Sequence, residues 1–170
     1  MLGFLFRGLT AEPKRGAGLF AALTDRARQP HWYVEGKIPD TLDGRFAVLV
    51  TITALTLVRL ESDGETGNAA SVHLTERFIE VMESEHRELG LGDPTLGKTV
   101  RKLVGMLARR TELWRAATAG RADWSGTARE SLFKEQADAD SLRHCSAALQ
   151  ALWSRLEAMP LSQLEKGQIA

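Results

Sequence analysis

Four histidines, one cysteine and a few charges at the edges of apolar runs are the residues of this 170-residue chain that could do chemistry. Glu83-Ser84-Glu85-His86 has the Glu-x-x-His spacing with which facing helices of di-iron four-helix bundles supply metal ligands. That chemistry needs a second copy and two further inward glutamates, and neither His31, His73 nor His144 has Glu three residues before it. A metal-dependent helical oxidoreductase using Glu83 and His86 stays open as an alternative, against a half-buried His86 satisfied by its own neighbours. Cys145 falls on an apolar helical stripe, where cysteine behaves as a small inert hydrophobe, and a single cysteine can form no internal disulfide. Gly90-x-Gly92 follows a helical pattern rather than a strand, so it reads as a helix cap and not as a dinucleotide fingerprint. No catalytic constellation assembles. The expectation is a protein without catalytic residues, metal ligands or cofactor.

Charge is more telling than catalysis. Lys+Arg and Asp+Glu balance at 22 each, so no global field steers the chain to nucleic acid, but the local distribution is uneven. Glu76 to Glu88 holds five glutamates against Arg77 and Arg87, whereas Lys98 to Arg121 holds seven basic residues against Glu112 alone. Lys98, Arg101, Lys102 and Arg109 recur at helical spacing and share one face. That face is either solvated, paired with the acidic helix before it, or a dock for RNA phosphates or anionic lipid heads. Aromatics that would stack bases are absent from it, which argues against sequence-reading RNA binding. Arg45 and Arg110 lie at apolar boundaries and each needs a carboxylate or carbonyl partner, with Asp40, Asp43 and Asp93 in view.

The elements that position these groups are helical. Ala17 to Gln29 predicts a first helix with the stripe Leu19, Phe20 and Leu23, stopped by Pro30. An aromatic connector, Trp32-Tyr33-Val34, leads to Pro39. The next helix, about Thr41 to Glu61, contains 13 uncharged residues from Phe46 to Val58 bracketed by Arg45 and Arg59, and should sit at the centre of a bundle. Asp40 and Asp43 supply its cap and its early acid. Residues 62–70 read as a loop. The third helix, 71–89, places Val72, Thr75, Ile79, Met82 and His86 on one side, with Phe78 adjacent. A fourth, 95–118, packs Val100, Leu103, Leu107 and Trp114, and helices near 127–135 and 140–159 follow. The longest uncharged run is short of the roughly 20 residues a membrane-spanning helix needs. The apolar start lacks the parts of a signal peptide. The expected fold is an all-α, single-domain helical bundle of about five to seven helices spanning residues 17–166, after a flexible apolar and basic segment at residues 1–16.

Four stretches together resemble the ubiquinol–cytochrome c chaperone family, the assembly factors of the cytochrome bc1 complex. They are Ala27-Arg28-Gln29-Pro30 with Trp32-Tyr33; Ile38 through Phe46; Arg87-Glu88-Leu89-Gly90-Leu91-Gly92-Asp93; and Lys98-x-x-Arg101-Lys102-Leu103. The resemblance covers residues 18 to 160 and thins after Ala119. It implies an all-helical, non-enzymatic factor of the bacterial stand-alone type, cytoplasmic and at most peripheral at the inner membrane. The implied client is newly made cytochrome b or another bc1 subunit. Further expected contacts are the ribosome or inner-membrane surface and a small helical partner protein, with no specific nucleic acid sequence read. The expected partner-binding face comprises Tyr33, Asp40, Asp43, Gly44, Arg45 and Phe46, with Arg87, Gly92, Asp93, Lys98, Arg101 and Lys102 beside it. A peripheral module for RNA or anionic lipid remains the other alternative.

Overall fold

The computed structural model describes residues 15–88, 90, 93–134 and 137–169, with backbone alone for Asp93, Pro94 and Leu96. Residues 1–14 of the expected flexible segment, and Gly92, lie outside the described residues. Helices α1 (Ala17–Ala27), α2 (Leu42–Glu61), α3 (Gly64–Glu88), α4 (Asp93–Thr118), α5 (Trp124–Leu132), α6 (Ala139–Ala158) and α7 (Leu161–Leu164) make an all-α bundle, with one 3-10 turn at Pro30–Trp32. No strand occurs among the described residues.

α2 is the axis of the bundle. Every residue from Thr51 to Leu60 is buried, and α1, α3, α4, α5 and α6 all pack against it. A helix apolar on all sides forms where neighbours cover every face, and the uncharged run meets that condition here. Its cap is Thr41, whose hydroxyl accepts from the Gly44 N–H at 3.2 Å. Asp40, expected to cap it, instead takes Arg45, while Asp43 is the first-turn acid. Gly44 is buried, and a methyl group at this position would overlap the Pro39 carbonyl oxygen. Gly44→Ala is therefore expected to destabilise the fold by about 1–3 kcal/mol, because the clash is with backbone that cannot rotate away. A urea titration with unchanged slope checks it.

The expected loop at 62–70 is instead helix. Only Ser62 and Asp63 separate α2 from α3, and Gly64 turns the chain with φ at +66°. Gly67 then lets the new helix pass so close to the Leu60 carbonyl that a methyl would overlap it. Packing of Gly67 and Ala70 outweighs the low helix propensity of this glycine- and asparagine-containing stretch. The earlier start also sets the phase. Gly67, Ala70, Leu74, Phe78 and Met82 face the core, while Val72, expected inside, is 53 % exposed.

Two boundaries also move, and one element is added. α1 ends at Ala27, two residues before the expected stop, α5 occupies Trp124–Leu132 rather than 127–135, and the short α7 follows Pro160. Ile169 packs on the core and its carbonyl accepts from Arg26 Nη2 at 3.2 Å, so the packed body reaches beyond residue 166.

α3 returns antiparallel to α2, with Phe46 of α2 lying 6.4 Å from Phe78 of α3. α4 runs parallel to α2: Arg115 near its end pairs with Glu61 at the end of α2, at 2.5 Å. The starts of α2 and α4 and the end of α3 thus share one end of the bundle. Beyond Phe78, ten residues of α3 (79–88) continue where α2 has only four before Phe46 (42–45), so the α3–α4 hairpin overhangs α2. α5 is tied to α4 by Arg110, whose Nε and Nη2 both donate to the Ser131 carbonyl at 3.3 and 3.0 Å. Burial lowers the Arg110 pKa, and the carbonyl supplies the partner its apolar position requires.

Candidate functional site

The connector between α1 and α2 is held by its aromatics. The Trp32 indole N–H donates to the Arg26 carbonyl at 2.9 Å and the Tyr33 hydroxyl to the Ala27 carbonyl at 2.5 Å. Both carbonyls belong to the last turn of α1, which has no intrahelical donor for them. Trp32 and Ile38 are buried, whereas Val34 is exposed. The connector then crosses α6, where Lys37 pairs with Asp138 at 3.1 Å. Asp138 caps α6, and the backbone N–H and hydroxyl of Ser141, with Lys37 in support, hold its carboxyl well below the usual range.

From Tyr33 the chain reaches the start of α2. Arg45 Nε donates to Asp40 Oδ1 at 2.6 Å, with the two side chains 58 % and 55 % exposed. Arg45 is therefore a surface group and not a buried clamp. Its hydrogen bond lowers the Asp40 pKa, and Arg45 and Asp40 both lie close enough to Tyr33 to act on its hydroxyl, whose pKa burial raises. Lys134, in the segment after α5, donates to Asp43 at 2.5 Å and lowers its pKa, with Lys102 of α4 adding a smaller pull. The same stretch of chain carries two exposed apolar side chains, Val34 at 66 % and Leu42 at 73 %. Exposed apolar side chains with surface ion pairs suit a protein partner better than a small molecule, which needs an enclosed pocket.

Of the expected face, the structure brings together Tyr33, Asp40, Asp43 and Arg45, with Lys102 in electrostatic range. Gly44 and Phe46 turn inward, Gly44 against Pro39 and Phe46 onto Phe78, so both support the surface from below. Arg87, Lys98, Arg101 and Lys102 are exposed at the overhanging hairpin, and Asp93 opens α4. Lys98, Arg101 and Lys102 make no ion pair with the described residues. Farther along α4, Arg109 pairs with Glu130 of α5 at 2.6 Å, and Arg115 with Glu61 and Glu112. Those links join α4 to α5 and α2, not to the acidic helix proposed from the charge pattern.

The chemistry-bearing residues outside this surface are accounted for. His86 Nδ1 donates to the Met82 carbonyl at 2.6 Å, the satisfied state expected of it. Among the described residues no group of three or more His, Cys, Asp or Glu side chains is placed to hold a metal ion. Cys145 is buried under Gly36, and burial pushes its thiol up to about 12, far from a reactive thiolate.

Sequence reasoning passed over Arg59. Its Nε and Nη2 donate to the Leu156 and Met159 carbonyls at 2.8 and 2.9 Å, and Nη1 reaches Asp63 at 2.8 Å. It is a buried arginine clamp, where Arg45 is a surface group. Its only sequence signal is its position at the end of the uncharged run. The contact between His31 and His144 was also missed, and nothing local in the sequence announces it.

The described residues thus form a helical bundle with a mixed charged and apolar surface at one end. The family described as ubiquinol-cytochrome C chaperone matches residues 34–170, and the chain belongs to that family. The match runs through the C-terminal third, where the resemblance read from the sequence thins. Among solved structures, the crystal structure of the Cbp3 homolog from Brucella abortus superposes with a TM-score of 0.79, covering 100 % of this chain and 96 % of that one at 22 % identity. At that identity the likeness establishes the fold. Comparison with curated proteins gave no match. No helix among the described residues is long and apolar enough to cross a membrane.

Proposed function

We propose that the chain is a non-enzymatic assembly chaperone of the cytochrome bc1 complex, acting in the cytoplasm and peripherally at the inner membrane, with newly made cytochrome b as its client. The family match over residues 34–170 carries this reading, because it includes the connector from Val34 onward, the start of α2 and the basic face of α4 in one span, with Tyr33 just before it. The surface around Tyr33, Asp40, Leu42, Asp43 and Arg45 is the docking face, and Arg87, Lys98, Arg101 and Lys102 form its basic flank. Gly44 and Phe46 fix the backbone beneath it. A chaperone for an apolar helical client needs exposed apolar groups ringed by charges that exclude the wrong partner, and those groups are present here.

The test is affinity purification of the tagged protein from host membranes and cytosol, read by mass spectrometry. Recovery of cytochrome b or other bc1 components supports the reading, and their absence from both fractions sinks it. The double substitution Arg45→Ala with Arg101→Ala is expected to reduce client recovery about tenfold, the effect of losing one good charged contact. Both side chains are exposed, so the thermal midpoint should stay within about 2 °C of wild type. A large loss of stability would instead make Arg45 a structural residue and remove it from the docking face.

A further inference from the structure

Away from the docking face two imidazoles meet. Nδ1 of His31, in the 3-10 turn of the connector, lies 3.0 Å from Nε2 of His144, in the second turn of α6. The rings sit 5.2 Å apart and cross at 65°, and His31 also stacks on buried Trp32 at 4.4 Å. Two facing imidazole nitrogens hold one proton between them: one ring donates and the other accepts. A pair carrying one extra proton keeps that bond, since the charged ring still faces a lone pair. A second extra proton places an N–H on both facing nitrogens, which breaks the bond and opposes two positive charges.

The surroundings resist that second proton. Arg26 of α1 and Arg155 of α6 line the same cleft as His31, and α2 contributes only the apolar Ile52. Burial lowers the His31 pKa first, then His144 and Arg26, with Glu35 of the connector pulling the other way. Of the other charged groups of the connector and α6, Lys37 pairs with Asp138 and Asp140 with Arg143, Arg28 and Glu157 are exposed, and burial keeps the Cys145 thiol neutral. The connector carries its own short bonds, Gly36 N–H to the His31 carbonyl at 2.9 Å and Ile38 N–H to the Trp32 carbonyl at 3.1 Å. The histidine pair joins the first turn of this small unit to α6, while Lys37 with Asp138 and Gly36 over Cys145 join its later part.

We propose that His31 and His144 form a proton-operated latch, which holds the connector on α6 while the pair shares a proton and releases it when both rings are charged. The connector bears Tyr33 and leads into the start of α2, so opening the latch would reshape the docking face. That consequence rests on the proposed function, whereas the latch does not. The sign follows from proton counting. At acid pH the unfolded chain binds more protons at His31 than the folded chain does, so the latch is closed above the ordinary histidine value of about 6.5 and is lost as pH falls below it.

Hydrogen exchange on the full chain tests this, with connector amides 34–38 followed against α2 amides at pH 7.5 and 5.0, each corrected for its intrinsic rate and measured with EDTA present. In wild type, connector protection is expected to fall about tenfold or more at pH 5.0 while α2 protection holds. In His144→Gln, which cannot titrate, protection should become independent of pH, whether it stays high or is already low at pH 7.5. His31→Gln should behave in the same way. A wild-type connector that keeps its protection at pH 5.0 overturns the latch, as does an undiminished pH response in both variants. Tightening that depends on stoichiometric added zinc would also overturn it, in favour of a metal clip. Client recovery at pH 7.5 reads the chaperone proposal independently, so the two can fail separately.

Discussion

Arg59→Met is expected to lower the unfolding free energy by about 3–5 kcal/mol, the range for removing one partner from a buried, hydrogen-bonded ionic network. Arg59 is almost wholly buried, and its guanidinium joins the last turn of α2 to the end of α6 by donating to the Leu156 and Met159 carbonyls. Those carbonyls belong to the final turn of α6 and its C-cap, so the arginine caps a helix that is distant in sequence. Removing it takes the side-chain donor from the Met159 carbonyl, leaves Leu156 with only the Met159 N–H, and deprives Asp63 of its counter-ion. Asp63 is partly exposed, which lets water compensate some of its loss and favours the lower part of the range. Arg59→Lys keeps a charge near Asp63 but cannot fork to both carbonyls, and should recover only part of the stability. Urea unfolding of the three proteins decides the matter. Equal midpoints for wild type and Arg59→Met would show that the cap is dispensable.

Phe78→Ala is expected to cost a similar amount, about 3–5 kcal/mol. Phe78 is fully buried on α3 and lies edge-on to Phe20 of α1 at 6.4 Å, while Phe46 of α2 approaches its other side at 6.4 Å. A cavity there removes contacts to α1 and α2 at once, loosening three helices. At 2–4 °C per kcal/mol for a chain of this size, the thermal midpoint should drop by roughly 6–20 °C. Phe78→Leu, which keeps most of the volume, should lose much less. The contrast separates lost packing from a general intolerance of substitution. Since Phe46, next to Arg45 in α2, packs onto Phe78, Phe78→Ala should also blunt client recovery if the proposed docking face is right, through support of that face rather than through any contact with the client.

The central helix was legible because its signal is local. A charge-free run, an acid in the first turn and arginines at both edges admit few alternatives, and α2 occupies the expected segment. α4 was legible for the same reason, down to the exposed row of Lys98, Arg101 and Lys102 opposite Leu103 and Leu107. α3 was misread over 64–70, where glycine and asparagine suggest a loop but contact with Leu60 makes glycine the residue that fits. Once that start was lost, Val72 and Ile79 offered a stripe as regular as Leu74 and Phe78, with Met82 common to the neighbourhood of both. Thr41 and Asp40 competed for one cap, and Arg45 decided it by engaging the aspartate. At the site, Tyr33, Asp40, Asp43 and Arg45 were legible as neighbours along the chain. Arg59 and the His31–His144 pair were not, since their partners lie about 100 residues away and, for Arg59, are backbone carbonyls that leave no mark in the sequence.

Gly36 has a consequence for the chain's single thiol. A methyl group at Gly36 would press on the Cys145 sulfur, so on that side the cysteine is covered by bare main chain with no side chain to swing aside. From that side a reagent cannot reach the sulfur through a rotamer change. It must wait until the connector itself lifts, and the rate at which Cys145 is modified then measures how often that segment leaves α6 rather than how nucleophilic the sulfur is. The protein carries its own clock for the motion of the strap that feeds its central helix.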